Sequence, residues 1–454
     1  MLGALIPVFM FGYPIFVIWL YGKYPPRRAA MLAFLIAWMF LPNYTFAFPG
    51  LPEYDKTMAA VLSVFIALFL KDSRTLKSFR FHPLDLIILF WCLTPFIASV
   101  VNGLGAYDGF SVSKNYFSTW IGPYIIGRLY FTSWDGLREI VWGLFISALI
   151  YVPFCFLEIM LSPQMHRWVF GYHSHEFQQT IRPIGYRPMV FMQHGLMVGM
   201  WMAGGALSGL VLWRWGDHHP KILGFPFHYS VLAVCGTFVA CQSFGALILL
   251  ITAVGVLIVT RKTGKLLPFL LFIALPFIQI AGKISGLSGE GMVNLAAKFS
   301  EERAASLEFR NVNEVALVEK ALEQPVFGWG GWGRSRIYNE KGEDISVTDS
   351  LWIILFGQTG YAGLVSFGLT LSVPLLLFLR RFPPETWEEN IEVAVALPLV
   401  ALVAIYLIDC TLNDMKSPIY IMIVGGITSV LLREVVEESE SQESWEFASP
   451  IIRP

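Results

Sequence analysis

The sequence predicts an all-α polytopic integral membrane protein of about 12–13 transmembrane helices, with one large external (periplasmic) helical loop. Three observations predict it. The 454 residues are 56% hydrophobic and only 14% charged, where a soluble chain carries about a quarter charged residues. Apolar runs approaching the roughly 20 residues of a membrane-crossing helix recur along the chain. Lysine and arginine collect in alternate connections between those runs.

The apolar windows are 2–21, 29–49, 57–70, 84–102, 113–131, 139–160, 189–213, 228–243, 245–260, 266–281, 349–379, 391–409 and 417–433. The first has no basic segment ahead of it and no clear small-residue cleavage site, so it reads as a retained span. The chain thus divides into helices 1–10 over 1–281, with a smaller external loop at 161–188. The large external loop is 282–348, the last three helices lie in 349–433, and an acidic tail occupies 434–454.

One set of short loops, together with the C-terminal tail, holds eighteen of the thirty-two Lys and Arg, and the opposite short loops hold six. The positive-inside rule then puts the tail in the cytoplasm and loop 282–348 outside. The five cysteines fall in or beside apolar runs with no C-x-x-C pair, which supports neither a disulfide framework nor a zinc site. The near-zero net charge offers no basis for a nucleic-acid partner.

Within the large loop, "EQPVFGWGGWGRSR" spells G-x-G-x-x-G at Gly328, Gly330 and Gly333. A dinucleotide fingerprint must leave a strand and open a helix. Here "NVNEVALVEKALEQP" leads in, with Val312, Val315, Val318 and Leu322 at helical spacing and Pro325 ending the run. A helix leading in on the outer face excludes the nucleotide reading. A tight turn remains, its tryptophans Trp329 and Trp332 suited to a membrane interface or a sugar.

Candidate site residues lie in both external loops. Arg182 and Arg187 stand at the mouth of the span that contains His194. Arginine at a membrane edge either marks a site or snorkels to headgroups, and a histidine inside a bundle either contacts substrate or satisfies a local partner. Arg303 and Arg310 lie two turns apart on one helical face, and Arg334 and Arg336 follow the glycines. Such a cluster fits a headgroup patch or, because guanidinium pairs oxyanions bidentately, a diphosphate. Asp349 opens the span 349–379, where it can cap the helix or serve as a general base. His173 and His175 with Glu176 have no further fixed partner, and no metal or other cofactor is expected.

An arginine-bearing helix, then P-x-x-G-x-G, then a polar residue opening a span that ends in "QTG", resembles the O-antigen ligase and O-antigen polymerase superfamily of multi-spanning bacterial glycosyltransferases. Arg310, Pro325, Gly328, Gly330 and "TDSLWIILFGQTG" carry the match. "RPIGYRP…HGLMVG" resembles the family's Arg–Gly–Pro segment, and "CQSFGALILL" its S-R-G-A span, with Phe244 where the family often has Arg. The resemblance implies a metal-independent, inverting transfer on the external face of a bacterial inner membrane. An undecaprenyl-diphosphate-linked oligosaccharide is the donor and a glycan the acceptor, with chain-length or export proteins as possible partners.

It further implies Asp349 and Arg310 as catalytic residues and Arg182, Arg187, His194, Arg303, Arg334 and Arg336 as substrate-binding ones. Many ligases have His-Asn where this chain has Asp349-Ser350, so a polysaccharide polymerase is expected, with a ligase second. A lipid-linked oligosaccharide flippase or a non-catalytic assembly protein are the alternatives from other classes; no repeat between the two halves favours a transporter.

Overall fold

The computed structural model describes residues 3, 5–216, 219–287, 289–298 and 301–448. Among them the regular elements are helices, joined by loops that contain four isolated β-bridges. A bilayer interior offers no water to backbone polar groups, and helices satisfy theirs internally.

The first half of the chain forms α1 (Leu5–Lys23), α2 (Pro26–Phe40), α3 (Lys56–Lys71), the short α4 (Ser73–Lys77) and α5 (Asp85–Val101). Next α6 (Ala106–Tyr116) passes through one π-helical turn into α7 (Gly122–Tyr130), followed by α8 (Trp134–Leu161). Beyond the connecting segment that carries α9 (Met165–Phe170) come α10 (Gly195–Trp215), α11 (Phe227–Ala240), α12 (Phe244–Thr263) and α13 (Leu267–Ile284). The large loop contributes α14 (Glu290–Ala297) and α15 (Glu301–Leu322), and the chain closes with α16 (Leu351–Arg381), α17 (Ile391–Asp409) and α18 (Pro418–Ala448).

Each apolar window contains a helix. Seven of those described are long and apolar enough to cross a membrane: α1, α8, α10, α12, α13, α16 and α17. α5, α11 and the part of α18 up to Arg433 are shorter apolar helices. The window 29–49 departs from expectation, because α2 stops at Phe40, just before Pro42. The residues beyond it form a loop, held where Asn43 donates to the Phe191 carbonyl (3.0 Å) and accepts from the Tyr172 hydroxyl (2.7 Å).

α10 and α17 form the centre, each 89% buried over its apolar window, while α12 and α13 reach only 28% and 22% and leave most of their surface to the apolar surroundings. α7 and α18 cross with backbones touching. A Cβ added at Gly127 would sit 2.2 Å from the Met422 carbonyl oxygen, and one at Gly425 would sit 2.2 Å from that of Tyr124. Small residues at such crossings allow the close approach that packs helices in lipid. Arg128 locks the same corner by pairing with Asp85 (2.9 Å) and donating to Ser429 (2.8 Å).

Candidate functional site

The site is mounted on an interruption in α16. Gly360 adopts φ 60°, ψ −159°, outside helical space, so the carbonyls before it and the N–H groups after it need other partners. The glycine turn supplies them. The amides of Trp329 and Gly330 donate to the carbonyls of Gly357 and Gln358, both at 2.9 Å. In return the amides of Tyr361 and Ala362 donate to the carbonyls of Pro325 and Val326, at 2.8 and 3.0 Å. Gly328, at φ 70°, lies so close that a Cβ would come within 2.5 Å of the Gln358 carbonyl carbon and the Thr359 nitrogen. The turn and the "GQTG" stretch are therefore two halves of one backbone joint, and α15 leads into it as a helix.

α15 docks on the start of α16 through a polar stripe. Arg310, Asn313 and Glu314 follow i, i+3, i+4 spacing and share one helical face. Arg310 pairs with Asp349 (Nε to Oδ2, 3.1 Å) and its Nη1 reaches the Leu412 carbonyl at 3.4 Å. Asn313 accepts from the Val347 amide (3.1 Å). Glu314, almost fully buried, pairs with Lys283 and accepts from the Ser350 hydroxyl (2.6 Å) and the Trp352 indole (3.2 Å). Leu317, Val318 and Ala321 continue that buried face.

The expected apolar face is thereby corrected. Val318 is buried, but Val312, Val315 and Leu322 are exposed, because the buried lysine–glutamate pair and its hydrogen bonds choose the docked side. The capping expectation for Asp349 also changes. Ser350 holds the N-cap position without a side-chain cap, and the first amides of α16 donate to the carbonyls of Asn413 and Cys410. Asp349 is left facing Arg310.

The second wall comes from the segment between α8 and α10. Glu158, buried near the end of α8, accepts from the amides of Met165 (2.9 Å), Met189 (2.8 Å) and Val190 (2.7 Å), which stitches both ends of that segment to one carboxylate. Arg187 then lies beside the break between α11 and α12, its Nη2 3.4 Å from the Gln242 carbonyl. Gln242 has φ 51°, a left-handed conformation uncommon for a non-glycine residue.

Arg182, Arg187, Gln242, Ser243 and Phe244 line a cavity of about 640 Å³ there. The Arg187 Nε and the Ser243 hydroxyl are buried and make no hydrogen bond among the described residues. Burial first, and the neighbouring Arg182 charge second, pull Arg187 down to about 10.

His194 caps α10. Its Nδ1 accepts from the Leu196 amide (3.0 Å) and its Nε2 meets the Gln179 side-chain oxygen (3.1 Å), an arrangement that suits a neutral ring protonated at Nε2. The His175 ring packs edge-on at 4.5 Å. Burial, then His175, Arg187, Arg182 and Arg310, push His194 down to about 3. The Arg310 charge thus bears on the same imidazole as the two arginines of the other loop.

Among the residues expected from sequence, the structure gathers Arg182, Arg187, His194, Arg310 and Asp349. His194 stands at the mouth of its helix rather than inside it. Arg334 pairs bidentately with Asp108 (2.6 and 3.0 Å), and Arg336 with Asp344 (2.7 Å) and the Thr348 hydroxyl (3.0 Å). Both brace the loop through their own carboxylates. The Arg303 side chain lies outside the described residues.

Sequence reasoning missed Glu158, Glu314 and Gln242. The first carries a readable signal as the single acid in "FCFLEIML". Helical register with Arg310 marks the second, while nothing local announces the third. Fold and site together define a multi-pass helical membrane protein with arginines and a carboxylate converging at one end of the bundle. Comparison with protein-family models and with curated proteins finds no match.

Proposed function

We propose that the protein is a membrane glycosyltransferase of the O-antigen polymerase kind, joining lipid-diphosphate-linked glycan units at the external face of a bacterial inner membrane. The observation that carries this reading is the Arg310–Asp349 ion pair, whose arginine acts together with Arg182 and Arg187 on the His194 imidazole. The cavity below Arg187 supports it. Two guanidiniums stand at its polar end, and Val239 and Phe244, both more than half exposed, form its apolar wall. An anionic head on a hydrocarbon tail matches that division. The family's usual arginine near position 244 is here a phenylalanine, and Arg187 brings a cation to the same break from the other loop.

In this mechanism the donor diphosphate engages Arg187, Arg182 and Arg310. Competition for Arg310 frees the Asp349 carboxylate to take the proton of an acceptor hydroxyl. That oxygen attacks the anomeric carbon from the face opposite the diphosphate, and the new C–O bond forms as the old one breaks. The leaving diphosphate keeps the bonding electron pair, and its growing charge is stabilised by the fixed guanidiniums. Neutral His194 orients the start of α10 without adding a charge.

The test is deletion of the gene followed by analysis of lipid-linked glycans. Single units accumulating outside support a polymerase. Finished polymer left on its lipid indicates a ligase, and units trapped inside indicate a flippase.

A further inference from the structure

A second cavity, of about 460 Å³, opens beside the same centre and differs from the first in chemistry. Its walls include Gln193, Leu351 and Asp414. These adjoin, respectively, His194, the Asp349–Ser350 pair, and the 412–413 turn whose Leu412 carbonyl faces Arg310. Gln193 lines this cavity, and His194 beside it caps α10.

The charges are sorted between the two. The arginine cavity has two guanidiniums and no carboxylate on its lining, whereas this one has Glu53, Asp55 and Asp414 against Lys56 and Lys416. It repels a diphosphate overall but presents many acceptors to hydroxyl groups. Asp414 pairs loosely with Lys416 through Oδ2 (3.7 Å), and its Oδ1 makes no hydrogen bond among the described residues, which leaves that carboxylate with acceptor capacity to spare. Gln358 and Asn115 add neutral amides.

The glycine turn contributes the decisive feature. Trp332 lines this cavity with its side chain largely exposed, and its backbone holds φ 63°. A bulky residue in left-handed space is strained by about 1–3 kcal/mol, and a glycine there would relieve it. Strain retained under an exposed indole at a cavity wall points to use of the ring.

We propose that this cavity is the subsite for the acceptor saccharide, with a sugar ring against Trp332 and hydroxyls donating to Asp414. The assignment rests on the glycosyltransferase reading and names the side from which the attacking hydroxyl reaches Asp349.

Two probes test it on the purified full chain in detergent: farnesyl diphosphate, and lipid-free oligosaccharide released by mild acid from the lipid-linked glycans of the producing cells. Trp332→Gly is expected to weaken oligosaccharide binding about tenfold or more, leave farnesyl diphosphate binding unchanged, and not lower the thermal midpoint. Asp414→Asn weakens the same ligand alone, and Arg187→Ala gives the reverse pattern. Unchanged oligosaccharide binding in both Trp332→Gly and Asp414→Asn overturns the subsite. So does equal loss of both ligands in either variant, or no oligosaccharide binding by wild type. Wild type that binds the oligosaccharide with this variant pattern but ignores farnesyl diphosphate would count against the donor reading and leave the saccharide subsite standing.

Discussion

Arg310 and Asp349 face each other at 3.1 Å, one on the capping helix α15 and the other at the residue before the N-cap of α16. The pair, with the Arg310 contact to the Leu412 carbonyl, closes the large loop onto the bundle. Both side chains keep more than a third of their surface exposed, so the ion pair contributes little to stability. Its position, not its strength, gives it importance.

If Asp349 is the base and Arg310 a diphosphate ligand, Arg310→Ala and Asp349→Asn each lower transfer by about 100-fold or more, while membrane expression and thermal midpoint stay near wild type. Glycan chain length in cells, read beside protein level, measures this. Wild-type chain length in both variants would remove the catalytic role.

Arg187 tests the proposed donor role of the arginine-lined cavity. Arg187→Ala is expected to weaken a short polyprenyl diphosphate by about tenfold or more, in line with hydrogen bonds to charged groups. Arg187→Lys recovers only part of that affinity, because an ammonium keeps the charge but loses the planar fork. Full recovery by lysine would show that charge alone matters there.

His194 predicts a pH dependence of stability. Its folded value, about 3, lies below the ordinary 6.5. Between those values the unfolded chain takes up a proton that the folded protein refuses. Stability therefore falls as pH drops through about 6.5 and is flat with respect to this group above it. His166, also lowered by burial, adds to the slope. His194→Asn, which keeps a capping side chain, flattens the decline in thermal midpoint between pH 7 and 5; an unchanged slope contradicts the assignment.

The backbone joint makes a structural prediction. A methyl group at Gly360 would lie 2.5 Å from the Val326 carbonyl and 2.6 Å from that of Pro325, in a left-handed conformation besides. Backbone cannot yield as a flexible side chain does, so Gly360→Ala is expected to lower the thermal midpoint and detach the glycine turn. Gly342→Ala, also at positive φ but with open space around it, carries only the conformational penalty of about 1–2 kcal/mol. Cysteine-accessibility labelling at Ser335→Cys, a buried position packed against Gly357, reports detachment in each background.

The helices were legible because hydropathy is a long-range sum, and every apolar window contains one. The 29–49 window overran because the aromatics Tyr44, Phe46 and Phe48 are apolar by count, yet they lie beyond the proline that ends α2. The docked face of α15 was misread for a related reason. Val312, Val315 and Leu322 look like a core stripe, but Glu314 is drawn inward by Lys283, Ser350 and Trp352, partners distant in sequence.

Arg310 and Asp349 were visible as residues and invisible as a pair. Arg334 and Arg336 looked like their equals because the carboxylates that hold them, Asp108 and Asp344, gain meaning only once the loop is folded. The glycine motif was readable as a turn, and its joint with the Gly360 break needed three dimensions.

Reconstitution puts the transfer reaction itself to the test. Purified protein in liposomes is given lipid-linked single glycan units extracted from the deletion strain, in EDTA and without nucleotide. Wild-type protein is expected to yield lengthened lipid-linked glycan and released lipid diphosphate, and Asp349→Asn neither product. Units that stay single with wild-type protein, or lengthening that persists in Asp349→Asn, would contradict the proposed transfer.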